Sequence, residues 1–148
     1  GHVDRPLPTM LDYRTHIEKD SMFNTPPVFP IYVALQTMKW YKELGGVKAL
    51  EKMNLEKARI LYDAIDSSRL FRGTVNPEDR SIMNVCFVMK DEYKELEKDF
   101  FDLATSRGIS SIKGHRSVGG FRASLYNALP KTSVEVLIEA MKDFERKH

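Results

Sequence analysis

The chain has 148 residues, 42% of them apolar and 30% charged, which fits one ordinary globular domain with an appended arm, large enough to fold without disulfides or a structural metal. A formal charge of only +2 with histidine neutral gives no general case for nucleic acid or an anionic membrane as partner. No apolar run approaches the roughly 20 residues of a membrane span and no signal-peptide pattern is present, so the sequence reads as cytoplasmic.

Gly1-His2 resembles a pair left by tag removal and is set apart as residues 1–2. Residues 3–30 show little periodicity and carry Pro6, Pro8, Pro26, Pro27 and Pro30, which predicts an extended arm. The arm is too apolar for a free linker: Met10, Leu11, Tyr13, Met22, Phe23, Val28 and Phe29 predict that it packs on something.

Ile31, Tyr32, Leu35 and Met38, then Val47, Leu50, Met53, Ala58, Leu61 and Ile65, fall at helical spacing and predict a long interrupted helix over 31–68. Gly45-Gly46 breaks it. Two glycines inside a helix cost about 2 kcal/mol against alanine, so two helices of unequal length are expected, the second ending near Asp66-Ser67-Ser68. Trp40 and Tyr41 are expected to pack that helical region rather than to form a ligand platform.

The remainder, 69–148, predicts a small domain. After a connector containing Asn76-Pro77, Ser81 to Met89 reads as a strand apolar on both faces, suited to a central place in a covered sheet. Within it Cys86 reads as a small buried hydrophobe in a reducing compartment, since one cysteine makes no internal bridge. Asp91 is the expected cap of a helix burying Leu96, Phe100, Leu103 and Ala104 and stopped by Gly108.

A short strand is expected around Ile109 to Ile112. Gly119 to Tyr126 then alternates, with Phe121, Ala123 and Leu125 on one face and Arg122, Ser124 and Tyr126 on the other. Thr132-Ser133-Val134-Glu135 has capping-box spacing and opens a last helix turning Val134, Leu137, Ile138, Met141 and Phe144 inward. The fold class is α/β in composition, an α+β sandwich with a small sheet covered by helices on one face.

Lys113-Gly-His-Arg-Ser-Val-Gly-Gly-Phe-Arg122 gathers cationic groups around a glycine-bearing loop with no acid among them. The alternation leaves the Arg122 guanidinium facing away from the apolar side, where its planar fork suits a carboxylate. His115 and Arg116 could hold a second anionic group, a phosphate for example, with Gly114, Gly119 and Gly120 allowing close backbone approach. The pattern predicts a doubly anionic small molecule, and the same spacing also describes a solvated basic loop with Arg122 paired to a surface carboxylate.

Ser21-Met-Phe-Asn-Thr-Pro-Pro27 has two readings as well: Asn24 and Thr25 offer an amide and a hydroxyl to a phosphate oxygen, or they mark a helix entry. His2, His16, His115 and His148 show no metal-ligand spacing. No glycine-rich phosphate loop opens a helix after a strand, and no serine sits in a nucleophile elbow.

Pro8-Thr-Met-Leu-Asp-Tyr13, His16, the Ser21 to Pro27 stretch, Gly45-Gly46 and above all Gly114-His-Arg-Ser-Val-Gly-Gly-Phe-Arg-Ala-Ser-Leu-Tyr-Asn127 resemble the phosphoserine aminotransferase family, from near the end of its large domain to its C-terminus. The resemblance implies the small C-terminal domain of a fold-type I, class V aminotransferase with a mostly antiparallel sheet. It implies pyridoxal phosphate as cofactor and amino transfer between glutamate and 3-phosphohydroxypyruvate, giving 2-oxoglutarate and phosphoserine, on the path to serine.

By the same resemblance Arg122 grips the substrate α-carboxylate, and His115 and Arg116 bind the phosphate or distal carboxylate. Asn24 and Thr25 reach across a homodimer interface to the cofactor phosphate. The family's cofactor lysine, its pyridine-pairing aspartate and its ring-stacking aromatic have no counterpart here, so no catalytic residue is assigned and the chain alone is expected to be inactive. Exposed apolar surface on the arm and on the Ile31 to Leu44 helix predicts self-association. A reading from another class is a stand-alone module that holds phosphorylated metabolites or a protein partner on its cationic loop.

Overall fold

The computed structural model describes residues 5–116 and 118–148; the expectation for residues 1–2 lies outside them. Two compact units divide the chain, one ending at Glu43 and one running from Leu44 to His148.

In the first unit the stretch expected to be extended is partly helical. A 3₁₀ turn spans Thr9–Leu11, and α1 spans Tyr13–Ile17. The Asp12 side chain accepts the Arg14 N–H at 3.0 Å, filling an otherwise unpaired donor at the start of α1. A second helix, α2, spans Val28–Glu43 and so starts three residues before Ile31. Pro30 fits its first turn because the N–H that proline lacks has no intrahelical acceptor there. No residue of α2 is buried.

The second unit opens with α3, Gly46–Ser67, preceded by Gly45 in a left-handed conformation at φ 100°. The break at the glycine pair and the end at Ser67 are as expected. One face of α3 buries Leu50, Ala58, Leu61 and Ile65.

Three strands follow: β1 Phe71–Gly73, β2 Asn84–Met89 and β3 Phe121–Ser124, antiparallel with β2 in the centre. The register sets Phe71 opposite Met89, Phe87 opposite Phe121 and Val85 opposite Ala123. All six are buried, so a single face of the sheet meets the core. Helix α4, Glu97–Ser106, and helix α5, Lys131–Glu145, supply Phe100, Ala104, Val134, Leu137, Ala140, Met141 and Phe144 to the same cluster.

Phenylalanine rings dominate this core. Phe121 lies 5.2 Å from Phe87 and 5.1 Å from Phe100 between centroids, and Phe100 lies 4.8 Å from Phe71, within the range of stacked and edge-to-face pairs. Distant segments are tied by polar groups as well. Buried Ser68 donates to Glu145 Oε2 at 2.8 Å and accepts from the Leu70 and Phe71 N–H groups, joining the end of α3, the start of β1 and the end of α5.

Several local expectations are corrected. β1 does not emerge from periodicity, because three residues carry too short a pattern and their strand character comes from pairing with β2. β2 begins at Asn84 rather than Ser81, since the Ser81 hydroxyl accepts the Met83 and Asn84 N–H groups and holds residues 81–83 in a turn. Cys86 is half-buried rather than buried, as it points to the face opposite the core.

Asp91 does not cap α4; it lies inside a 3₁₀ turn, Asp91–Leu96, that runs into the helix. Residues 109–112 form no strand: Ser111 takes φ 56° and turns the chain, though Ile112 is buried and its carbonyl accepts the Arg122 N–H at 2.7 Å. Thr132 does not cap α5, which begins at Lys131 after the extended Pro130 with no side-chain cap. Its inward stripe is as expected, with Ile138 half-buried at the margin.

Candidate functional site

Antiparallel pairing continues past the start of β3. Lys113 bridges Phe121, the Gly114 N–H donates to the Gly120 carbonyl at 2.8 Å, and the Arg122 N–H donates to Ile112. Residues 112–114 and 120–122 thus pair as the stem of a tight hairpin. At its tip the N–H groups of Val118 and Gly119 both reach the His115 carbonyl, at 3.0 and 2.8 Å. His115 and Arg116 stand exposed at this tip, and Arg122 sits half-buried on the stem.

Arg122 projects from the sheet face opposite the core, directly across from Cys86 and beside the Asn84–Ser124 pair, where the Ser124 hydroxyl donates to Asn84 Oδ1 at 3.2 Å. Its Nε is sealed from solvent without a hydrogen-bond partner. Arg14, Arg59, Arg69, Arg72, Arg80, Arg107 and Arg146 all make ion pairs. Among the described residues neither Arg116 nor Arg122 has an acidic partner, so the surface-carboxylate alternative for Arg122 is not met there.

Arg122 also lines a cleft of about 620 Å³ along the β3 side of the unit, with Ser110, Ser111, Ser124, Tyr126 and Ser133 supplying hydroxyls. Sequence reasoning did not identify this cleft, which depends on α5 coming to lie beside β3. His115 and Arg116 are not among its lining residues.

Asn24 and Thr25 belong to the unit ending at Glu43. His16 Nε2 donates to the Met10 carbonyl at 3.0 Å, its ring meets Phe23 edge-on at 6.3 Å, and Asn24 Nδ2 lies 3.3 Å from Met10 Sδ. These contacts fold residues 10–24 together and leave Asn24 and Thr25 exposed just before Pro26-Pro27 and α2. The segment enters a helix, and it presents an amide next to a weak sulfur acceptor and an exposed hydroxyl. That donor set fits a phosphate. The Arg14 guanidinium, bonded to Asp12, holds that carboxyl below the usual range.

A lysine able to carry a cofactor aldehyde is a separate question. Lys57 is the buried lysine among the described residues, and burial pulls its pKa below the ordinary lysine value. Such a shift often marks function. Here the geometry argues otherwise: Nζ donates to the carbonyls of Leu125, Tyr126 and Leu129 at 3.3, 2.8 and 3.1 Å. All three donors of the ammonium are engaged, and Lys57 clamps the turn after β3 to α3. Among the described residues no cluster of His, Cys, Asp and Glu could hold a metal, and no helix is long and apolar enough to cross a membrane.

A phosphoserine aminotransferase of Porphyromonas gingivalis is 78% identical over 148 residues, covering 100% of this chain and 41% of that protein, whose C-terminal part is the part matched. A phosphoserine aminotransferase structure from Bacillus circulans subsp. alkalophilus superposes with a TM-score of 0.86 at 46% identity, over 95% of this chain and 39% of that one. A pyridoxal-phosphate-bound phosphoserine aminotransferase from Trichomonas vaginalis gives a TM-score of 0.82 at 43% identity, over 95% and 40%. These matches span less than half the length of each relative and share the helices and the small antiparallel sheet described above. With the family model for class-V aminotransferases matching residues 6–137, the chain belongs to the class-V aminotransferase family.

Proposed function

We propose that this chain forms the substrate-anion side of a phosphoserine aminotransferase, which moves an amino group between glutamate and 3-phosphohydroxypyruvate. The observation that carries the reading is the contrast among the ten arginines: seven make ion pairs, whereas Arg116 and Arg122 stand together on one hairpin and, like Arg5 in the other unit, have no acidic partner among the described residues. A dianionic ligand would supply the counter-charge that these two guanidinium groups lack.

Arg122 takes the α-carboxylate. With Nε sealed from solvent, the two terminal nitrogens are left to form the fork, and two parallel charge-assisted bonds fix both position and plane. His115 and Arg116 at the hairpin tip take the phosphate of one substrate or the distal carboxylate of the other. A shared subsite of this kind serves two substrates because both present an anion at the far end.

Pyridoxal phosphate supplies the electron sink for amino transfer when bound. The Asn24 amide and the Thr25 hydroxyl would hold its phosphate from across a homodimer interface. By the family resemblance, the lysine that carries it belongs, in this reading, to sequence outside these residues; Lys57, the buried lysine among those described, is engaged by three carbonyls.

Two measurements test the reading. Arg122→Lys in the full-length protein should lower kcat/KM on the order of 100-fold, since a point charge does not replace a planar fork; unchanged kinetics remove Arg122 from the site. The 148-residue chain mixed with pyridoxal phosphate and reduced with borohydride should show no stoichiometric labelling of one lysine. Such labelling, or activity of the chain alone, would overturn the division of labour.

A further inference from the structure

The hairpin carrying the cationic groups is closed by backbone lying against backbone. A Cβ added at Gly114 would stand 2.0 Å from the Gly119 carbonyl oxygen and 2.9 Å from its carbon, distances no real Cβ tolerates. Gly114 is not among the residues with positive φ, so the obstacle to a side chain there is space rather than a left-handed backbone. Gly120 is constrained twice: its φ is 60°, and an added Cβ would meet Val88 Cγ1 at 2.5 Å and the Phe87 carbonyl oxygen at 2.7 Å.

We infer that Gly114 and Gly120 are positioning residues for anion binding, which hold the hairpin closed before ligand arrives and so fix His115 and Arg116 relative to Arg122. The inference rests on the reading of this hairpin as the substrate-anion site. Gly120 seats one end of the loop on β2, and Gly114 lets the other end cross it closely enough for the 2.8 Å bond between the Gly114 N–H and the Gly120 carbonyl. A methyl group at Gly114 must push the two passes apart and open that bond, which moves the tip, with His115 and Arg116, relative to Arg122 on the stem while removing no charged side chain.

Closure before binding has a physical purpose. Arg116 and Arg122 lack acidic partners among the described residues, so no ion pair holds either guanidinium in place before an anion binds. A loop held shut by contact geometry needs no ordering when ligand binds, and affinity is not lost to that entropy.

The test uses the full-length holoenzyme. Gly114→Ala should raise KM for phosphoserine about tenfold or more with kcat within about threefold, because displacing a binding group by an ångström commonly costs that much or more. Leu61→Ala, which empties core volume on α3 away from the hairpin, should lower the melting temperature without moving KM. Equal KM changes in both variants, or a Gly114→Ala enzyme with unchanged KM, overturn the inference.

Arg116→Ala separates the two levels. If it leaves KM unaltered, the anion-site reading falls and this inference with it; if it raises KM while Gly114→Ala does not, the inference alone falls. Should Gly114→Ala fail to fold, amide exchange on the ligand-free wild-type enzyme decides: protection of the Gly114 N–H without ligand supports a preclosed loop, and exchange at the free-peptide rate that slows only on adding phosphoserine overturns it.

Discussion

The two units of this chain have similar apolar content and opposite fates for it. From Leu44 onward, α3, α4 and α5 close over one face of a three-stranded sheet and seal seven or more large side chains, among them Phe71, Phe87, Phe100 and Phe121 at 1% exposure or less. Before that point Met10, Leu11, Tyr13, Ile17, Val28, Phe29, Ile31, Tyr32, Leu35 and Met38 are all exposed, and α2 buries nothing. The difference teaches that helical periodicity and apolar content make an element, whereas a core needs a second surface to close on. An apolar helix without such a surface is what an interface looks like before its partner arrives.

The sharpest way to break the comparison is to remove a ring from the closed unit. Phe121→Ala takes away the ring shared by Phe71, Phe87, Phe100 and Phe101 and should cost about 3–5 kcal/mol in denaturant unfolding. A loss below about 1 kcal/mol would mean the aromatic cluster is not the centre of stability.

Lys57→Met comes next. The substitution keeps the apolar stem but leaves the carbonyls of Leu125, Tyr126 and Leu129 without their shared donor, and it should destabilise by about 2–3 kcal/mol. A neutral or stabilising result would show that the buried ammonium adds nothing to the clamp, as happens for some buried charges.

A smaller effect is expected at the latch between α3 and the loop before β2. Arg80 donates to both carboxylate oxygens of Asp66 at 2.7 Å and lies 4.5 Å over the Tyr62 ring. Asp66 is half exposed, so screening limits the contribution of the pair to about 1 kcal/mol. The Arg80 guanidinium holds the Asp66 carboxyl below the ordinary carboxylate range, so its contribution is complete above the unfolded value and disappears as pH falls through the lowered folded one. The wild-type minus Asp66→Asn stability difference should therefore shrink on acidification below about pH 4; a difference that grows on acidification contradicts the assignment.

The smallest effect on folding is predicted for the open unit. Phe29→Ser on α2, three-quarters exposed at 75%, should change unfolding of the closed unit by less than about 0.5 kcal/mol. It should, however, reduce concentration-dependent self-association of the chain in sedimentation. Strictly monomeric behaviour of the unaltered chain at high concentration would remove the interface reading of α2.

Much of the fold was legible in residue spacing. The glycine break, the stripe of α3, the central place of β2, the alternation of Phe121, Ala123 and Leu125 and the inward face of α5 each follow from a period of two or 3.6, and burial selects for those periods directly. Caps and short strands were less legible. Asp91 and Thr132 have the right chemistry near the right place, but the residue that takes the cap position is decided by where the preceding chain turns, and Leu96 and Pro130 take those places before α4 and α5.

The site divides in the same way. The sequence alone determined the residue types proposed to meet an anion: an acid-free cationic stretch with glycines at fixed positions and an arginine on the polar phase of a strand. Only the tertiary structure decided that Arg122 has its Nε sealed from solvent, that Lys57 is spent on three carbonyls, and that a methyl group at Gly114 has nowhere to go. The reason is that periodicity is a property of neighbours along the chain, while the room left for one atom is set by segments far from it in sequence, and those meet only when the sheet and its helices close.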